Sequence, residues 1–198
     1  MDQDDPLDRV FPRLLAIVRD DPAPATQWQR MLEMFRSEVP AAPWGGLPLP
    51  DIDRDVNAAA AWLAAELKAQ PAAKGIYLGL DTLNMEGGRG TNVEFGGIAE
   101  CDPADDDESW LEDDLDSGGD HLIRGLLEMH AVYSSPDWEP LFDFCDYAVF
   151  LGYSGIVLAA AMARTAGTRD LLVAWGFHDG DLFLLGRSLG GKWSPVED

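Results

Sequence analysis

The feature that most constrains the fold of this chain is an uncharged stretch of seventeen residues, 147–163, bounded by Asp146 and Arg164. Most of its side chains are apolar, and burying them removes a large unfavourable contact with water. Its length is at the lower limit for crossing a bilayer, and glycine and serine interrupt it. We therefore predict a buried central helix over 142–165, with Gly152 as the expected position of a break.

Helical spacing of apolar residues dominates the N-terminal third of the chain. Trp28, Met31, Leu32 and Phe35 follow the i, i+3, i+4, i+7 pattern of an amphipathic helix, which we place over 25–38. The same pattern predicts helices over about 5–18 and 53–69, and a Pro- and Gly-rich connector over 39–50.

The spacing changes to that of strands after residue 75. Aliphatic residues between 75 and 81 alternate with small or polar ones, as in a strand with one buried face. Residues 92–99 indicate an antiparallel partner, so a first hairpin is predicted over about 75–99. Two further β-like runs flank an Asp-Gly dipeptide at 179–180, which is typical of a tight turn and predicts a second hairpin over about 170–187.

These elements together favour an α+β fold over a doubly wound one, because the strands occur in hairpins and do not alternate with helices. We predict a single domain over 1–198, with an antiparallel sheet built from two hairpins and packed with about five helices. One of these helices is expected to begin with Asp120 as its N-cap and to run to Tyr133. An acidic loop over 100–120 precedes it.

The charge balance limits the partners that the chain can have. Thirty-six acidic residues face fourteen basic ones, which gives a formal net charge of −22 at pH 7. A field of this sign repels nucleic acids and anionic membrane surfaces, so neither is expected as a partner. It attracts basic proteins and cations, although acidic side chains also keep a protein soluble without any partner.

The two cysteines and the N-terminal residues indicate the cellular compartment. Cys101 and Cys145 are isolated, whereas a secreted disulfide framework has more cysteines at regular spacing. The first residues are acidic, and a signal peptide begins with positive charge. We expect a cytoplasmic protein.

The strongest functional signal is an acidic segment without a single lysine or arginine between residues 90 and 123. Charge steers a basic partner toward such a segment, and an interleaved tryptophan can anchor it. In the alternative, Trp110 and Trp138 fold back on the core. The predicted binding residues are Asp102, Asp105, Asp106, Asp107, Glu108, Trp110, Glu112, Asp113, Asp114 and Asp116.

In its size, acidity and α+β class, the chain resembles the bacterial immunity proteins that neutralise basic toxins such as nucleases. The resemblance implies a basic protein as partner, such as a toxin. It is a resemblance of general character that includes no shared motif, so it assigns no site residue.

Motifs for other chemistry are incomplete, and we predict no cofactor and no metal. The glycine-rich segment 87–90 lacks the spacing of a phosphate-binding loop. Ser154 lies in a sequence similar to a nucleophile elbow, but isoleucine replaces the final glycine, so packing against another helix or a hydrogen bond to a backbone carbonyl is the expected role. His121 and His130 are nine residues apart on one predicted helix and would face opposite sides.

Two other functions stay open at this point. Asp81, Glu94 and Glu100 could serve a carboxylate-based or metal-dependent hydrolase, and Glu94 and Glu100 would share one side of a regular strand. An exposed strand edge could instead make the chain an oligomerising structural domain.

Overall fold

The computed structural model describes residues 6–20, 23–85, 88–105, 109–112, 116–177 and 181–196. Five helices of ten or more residues occur in these ranges: α1 Pro6–Val18, α2 Pro24–Glu38, α3 Ile52–Ala69, α4 Arg124–Tyr133 and α5 Phe150–Thr165. The strands are β1 Gly75–Met85, β2 Gly88–Ile98, β3 Asp116–Leu122, β4 Leu171–Phe177, β5 Leu182–Leu189 and β6 Lys192–Ser194.

The six strands form one mixed sheet in the order β3-β2-β1-β4-β5-β6. Two antiparallel units, β1–β2–β3 and β4–β5–β6, meet where β1 lies parallel to β4, with Gly75 opposite Leu172. This architecture confirms the predicted α+β class and the pairing of β1 with β2 and of β4 with β5. The parallel central pair and the outer strands β3 and β6 were not predicted.

The two faces of the sheet differ because successive side chains on a strand point to opposite sides. On one face, Ile76 and Leu78 of β1 and Trp175 of β4 are fully buried in the main core beneath the helices. On the other face, Tyr77 and Leu172 belong to a small second cluster. We call this second side the open face.

Helix α5 is the centre of the main core, as the sequence predicts. The continuous helical stretch Pro136–Thr165 is, among the described residues, the one helix long and apolar enough to span a membrane, and 78% of its most apolar window is buried inside the fold. A core helix shows this composition because apolar neighbours surround it. The predicted break near Gly152 is wrong, since the irregularity is a π-helical turn at Cys145–Val149.

The predicted helix from Asp120 to Tyr133 is also corrected. Residues 116–122 form β3, and α4 begins at Arg124. A carboxylate does satisfy the helix N-terminus, but it belongs to Asp55 of α3, whose Oδ2 accepts a hydrogen bond from the Gly125 amide at 2.8 Å. The N-terminus of α4 is therefore capped by the buried Asp55, which is distant in sequence, and not by the neighbouring Asp120.

The predicted loops contain some regular structure. The 39–50 connector includes a 3-10 turn at Trp44–Gly46. The predicted acidic loop at 100–120 includes a 3-10 turn at Ser109–Glu112, and its last residues belong to β3.

Candidate acidic binding surface

Strand β3 forms one edge of the sheet and pairs with β2 alone. The register shifts between Glu94 and Gly96 of β2, so the two glycines Gly118 and Gly119 bulge opposite Phe95. Five of the seven residues of β3 are exposed. An edge strand presents backbone N–H and C=O groups that a further strand can bind.

Carboxylates concentrate beside this edge. Asp120 of β3 lies directly opposite Glu94 of β2, and Glu94 lies opposite Gly79 of β1. Asp81 is two positions from Gly79 and therefore points to the same open face. Like charges directly opposite each other on neighbouring strands destabilise the sheet. None of these three carboxylates lies within 4.0 Å of a lysine or arginine nitrogen among the described residues.

Asp116 begins the same edge strand, and its side chain is exposed. Its backbone carbonyl accepts a hydrogen bond from Gln70 Nε2 at 3.1 Å, which ties the start of β3 to the end of α3. Because Asp116 lies opposite Gly97, its side chain is directed to the helix side of the sheet, whereas Asp81, Glu94 and Asp120 are on the open face. We call these four carboxylates, which lie on and beside the β3 edge, the acidic surface.

Two other predicted site residues, Asp102 and Asp105, are exposed in the segment that follows β2. Asp102 Oδ1 accepts a hydrogen bond from the Ala104 amide at 3.0 Å. Asp102 also lines a cleft of about 540 Å³ together with Lys74 and Arg169. The cleft also contains Asp170, and no described ion pair joins Asp102 to either cation, so Asp102 differs from the acidic surface only in having cations in its neighbourhood.

Arg169 holds one side of this cleft in place through hydrogen bonds to backbone carbonyls. Burial lowers the pKa of its guanidinium, which donates hydrogen bonds of 2.7–3.1 Å to the carbonyl oxygens of Leu67, Gln70, Pro71 and Ala73. These contacts fix the connection between α3 and β1.

Trp110 requires a correction, because it is not available as a surface anchor. Only 4% of the residue is exposed, and it belongs to the second cluster with Ile98 and Cys101. A Cβ on Gly75 would lie 2.8 Å from its ring, so the indole occupies the space that this glycine leaves on β1. Trp138 is also buried, with its ring 5.4 Å from that of Trp44. Both tryptophans fold back on the core, since large apolar surfaces are most stable there.

The remaining predicted site residues cannot be placed on the surface. Asp106, Asp107, Glu108, Asp113 and Asp114 lie outside the described residues, and so does the side chain of Glu112. Their role in binding stays a prediction.

The carboxylates of the hydrolase alternative are only partly brought together. Asp81 and Glu94 share the open face, as the register requires. Strand β2 ends at Ile98, so Glu100 lies beyond it and is exposed. The expectation that Glu94 and Glu100 share one side of a regular strand is therefore wrong.

A buried polar network lies on the opposite side of the sheet, between three helices. Asp55 is 2% exposed, and its Oδ2 accepts hydrogen bonds from Tyr153 Oη and from the Gly125 amide, each at 2.8 Å. Its Oδ1 accepts one from Arg54 Nε at 2.9 Å, and Arg54 Nη1 also donates to Glu128 at 3.0 Å. Burial, and then the hydrogen bond to Asp55, raises the pKa of Tyr153. This network joins α3, α4 and α5, and its hydrogen bonds give Asp55 a structural role.

Two side chains that could act as nucleophiles, Ser154 and Cys145, are held in inert positions. Ser154 is buried and donates to the Leu151 carbonyl at 3.1 Å, as predicted. Burial, with a smaller effect of Asp146, raises the pKa of Cys145 to about 12, so its thiol stays protonated at neutral pH.

His130, Asp146 and Ser134 resemble a catalytic triad only in composition. Ser134 Oγ lies 3.3 Å from both ring nitrogens of His130, so it is aimed between them and not along either lone pair. His130 Nε2 is 3.9 Å from Asp146 Oδ1, beyond hydrogen-bond distance.

The predicted placement of His121 and His130 on one helix is wrong, because His121 lies on β3 and His130 on α4. Among the described residues, no group of three or more His, Cys, Asp and Glu side chains is placed to hold a metal ion.

No known protein family, curated protein or solved structure matches this chain. The geometry and charge of the chain are therefore the basis for its proposed function.

Proposed function

We propose that this chain is a protein-binding module whose acidic surface receives a basic protein partner, as an inhibitor or immunity-type protein would. The observation that carries the proposal is the position of Glu94 directly opposite Asp120, with Asp81 on the same face and no described cation paired with any of them. A chain that needed these carboxylates for solubility alone would gain from spreading them apart.

Binding of a cationic side chain would relieve the repulsion between Glu94 and Asp120. The partner would then gain the attraction of both carboxylates, and the free chain would lose an unfavourable cross-strand pair. The net charge of −22 also steers basic proteins toward the chain over long distances, which raises the association rate at low ionic strength.

The edge of β3 offers a second means of recognition. A partner strand can add to its exposed backbone, as in other complexes formed by strand addition. A second copy of this chain is disfavoured there, because Asp116 and Asp120 would meet carboxylates of the same edge. The geometry therefore favours a basic partner over self-association through β3.

The test compares two variants that remove the same number of charges. The site variant carries Glu94→Gln, Asp116→Asn and Asp120→Asn. The control variant carries Glu33→Gln, Glu139→Gln and Asp143→Asn, which are exposed carboxylates on other elements. Affinities for lysine- and arginine-rich peptides and for small basic proteins are measured by calorimetry at two salt concentrations.

We expect the site variant to bind about tenfold more weakly than the parent chain, and the control variant to stay within about twofold. Binding by the parent chain should also weaken as salt is added. Equal losses in both variants would show that only net charge matters and would refute a defined surface. Sizing by light scattering at the same concentrations excludes a dimer as the binding species.

A further inference from the structure

A second recognition feature lies at the opposite end of the sheet, where the helices meet β5 and β6. The end of α1, the start of α2 and the last turns of α5 surround a cleft of about 480 Å³ there. A volume of this size is within the range of small-molecule sites in proteins, roughly 300–1,000 Å³. The cleft therefore has room for a ligand of nucleotide size.

The charge of this cleft is opposite to that of the whole molecule. Arg19, Arg164 and Lys192 line it, and Asp20 is the one carboxylate among its described lining residues. Asp20 forms an ion pair with Arg30 of α2. Three of the fourteen basic residues of a strongly acidic chain thus meet at one site, although they come from three distant parts of the sequence.

Two of these cations keep their charge available. Arg164 donates from Nη1 to the amide oxygen of Asn57 at 2.7 Å, and Lys192 is exposed on β6. Neither lies within 4.0 Å of a carboxylate among the described residues. Arg19 is held more firmly, since Nε and Nη2 both donate to the Leu184 carbonyl, at 3.1 and 2.9 Å.

The rest of the lining is small and apolar, with one aromatic ring. Three alanines of α5 leave a floor without protruding side chains, and Trp193 of β6 forms a wall. A Cβ on Gly186 would collide with the Trp193 ring, so the indole rests against β5 in a fixed position. Aromatic walls of this kind favour a planar ligand, because stacking adds to the burial of apolar area.

We propose that this cleft binds a small organic phosphate that carries a planar ring. A phosphate monoester has nearly two negative charges and three acceptor oxygens, which suits several cations better than a single carboxylate does. The ring of the ligand would lie on the alanine floor beside Trp193. The inference is independent of the acidic surface, which lies at the other edge of the sheet.

The experiment uses adenosine 5′-monophosphate as the probe, with adenosine and inorganic phosphate as its two halves. Titration is followed by calorimetry and by the NMR signal of the Trp193 indole N–H, which the Trp193→Phe variant identifies. We expect saturable binding of the monophosphate, at least fivefold tighter than that of either half, together with a shift of the Trp193 signal.

The charge requirement is tested with Arg164→Gln combined with Lys192→Gln. Both residues are exposed, so the double variant should keep its fold, which circular dichroism and thermal melting verify. It should bind the monophosphate at least tenfold more weakly. Arg36→Gln combined with Lys68→Gln removes two exposed cations elsewhere and should change the affinity less than twofold.

Three results would overturn the proposal. The first is the absence of saturation by the monophosphate up to about 10 mM, a concentration well above the dissociation constant expected of a formed pocket. The second is equal weakening in the double variant and its control. The third is binding that leaves the Trp193 signal unmoved.

Discussion

At the scale of single residues, the buried carboxylate of Asp55 links three helices, because it accepts hydrogen bonds from groups on α3, α4 and α5. It accepts hydrogen bonds from the Arg54 side chain, the Gly125 amide and the Tyr153 hydroxyl. A buried carboxylate is stable only when its oxygens are satisfied in this way. One side chain of α3 therefore makes hydrogen bonds to both α4 and α5.

Replacing Asp55 by alanine should lower the free energy of unfolding by about 3 kcal/mol, because the change leaves the Gly125 amide and the Tyr153 hydroxyl without their acceptor and removes one of the two partners of Arg54. Tyr153→Phe removes a single hydrogen bond and should lower it by about 1 kcal/mol. Urea denaturation measures both values. The exposed Asp143→Ala is the control, and a loss from it as large as that of Asp55→Ala would contradict the assignment.

His121 gives the molecule a titrating group in a half-buried setting. Its ring stacks on Trp62 with centroids 5.1 Å apart and planes inclined by 16°. Burial lowers the pKa of His121, and the negative charge of Asp55 opposes that effect only in part. The folded chain consequently takes up a proton at His121 less readily than the unfolded chain does.

This difference makes stability depend on pH. At pH well above about 6.5, the pKa of an unperturbed histidine, His121 is neutral in both states and contributes no pH dependence. As the pH falls below that value, the unfolded state binds the proton first, so His121 destabilises the fold. We expect His121→Gln to lose less stability than the parent chain between pH 7 and 5, measured by urea denaturation at each pH. Parallel curves for the two proteins would contradict this.

At the scale of elements, the close contact of α5 with its neighbours depends on glycine. A Cβ on Gly155 would lie 2.8 Å from Val18 Cγ1 and 2.9 Å from the Trp175 ring, both of which are buried. Real Cβ atoms do not approach other atoms this closely, so α5, α1 or β4 would have to move.

Gly155→Ala should therefore destabilise the chain by about 1–3 kcal/mol, as overpacking of a core does. This sign is opposite to the gain of about 1 kcal/mol that alanine usually brings inside a helix. Gly45→Ala is the control, since a Cβ there meets nothing within 4 Å. Thermal melting of both variants measures the effect, and an unchanged or higher melting temperature for Gly155→Ala would refute the packing argument.

The elements that sequence reasoning located are those with a strong local pattern. Helix α2 begins at Pro24 and ends at Glu38, within a residue of the span 25–38 predicted from its apolar periodicity. Strand β3 was missed because its residues include two aspartates and two glycines, which have low β-propensity. It forms through pairing with β2, and that long-range contact leaves no local signal.

The acidic surface was also predictable only in part, because its composition is local and its geometry depends on long-range pairing. The excess of carboxylates around β3 is visible in the sequence, and so is the absence of lysine and arginine there. The opposition of Glu94 and Asp120 depends on the register of two strands separated by the acidic segment, which composition cannot give. Trp110 was misplaced as an anchor because the glycine that receives its ring, Gly75, is remote in sequence.

At the scale of the whole molecule, excess negative charge opposes compactness. The described ion pairs involve few of the thirty-six acidic residues. Glu38 is one of them, and the hydrogen bonds from Arg9 and Arg13 lower the pKa of its carboxyl group. Most of the remaining carboxylates repel one another in the folded state more strongly than in the expanded unfolded state.

Added salt should therefore stabilise the chain. We expect the melting temperature to rise when sodium chloride is increased from about 0.02 M to 0.5 M, because the screening length falls from about 20 Å to about 4 Å. Differential scanning calorimetry measures the change. The variant with Glu94→Gln, Asp116→Asn and Asp120→Asn has less repulsion to screen and should show a smaller rise. A melting temperature that falls with salt would contradict the role given to self-repulsion.

The parallel contact between β1 and β4 has a consequence for how the chain reaches this structure. Gly75 and Leu172 are neighbours in the sheet but nearly half the chain length apart, and all five long helices precede β4. Closing so long a loop is slow compared with forming a hairpin. During synthesis, β1 also emerges well before β4, the strand that pairs with its other edge. Until then, an aliphatic strand edge stands uncovered, and a nascent chain stalled before β4 would be a substrate for chaperones or a seed for aggregation.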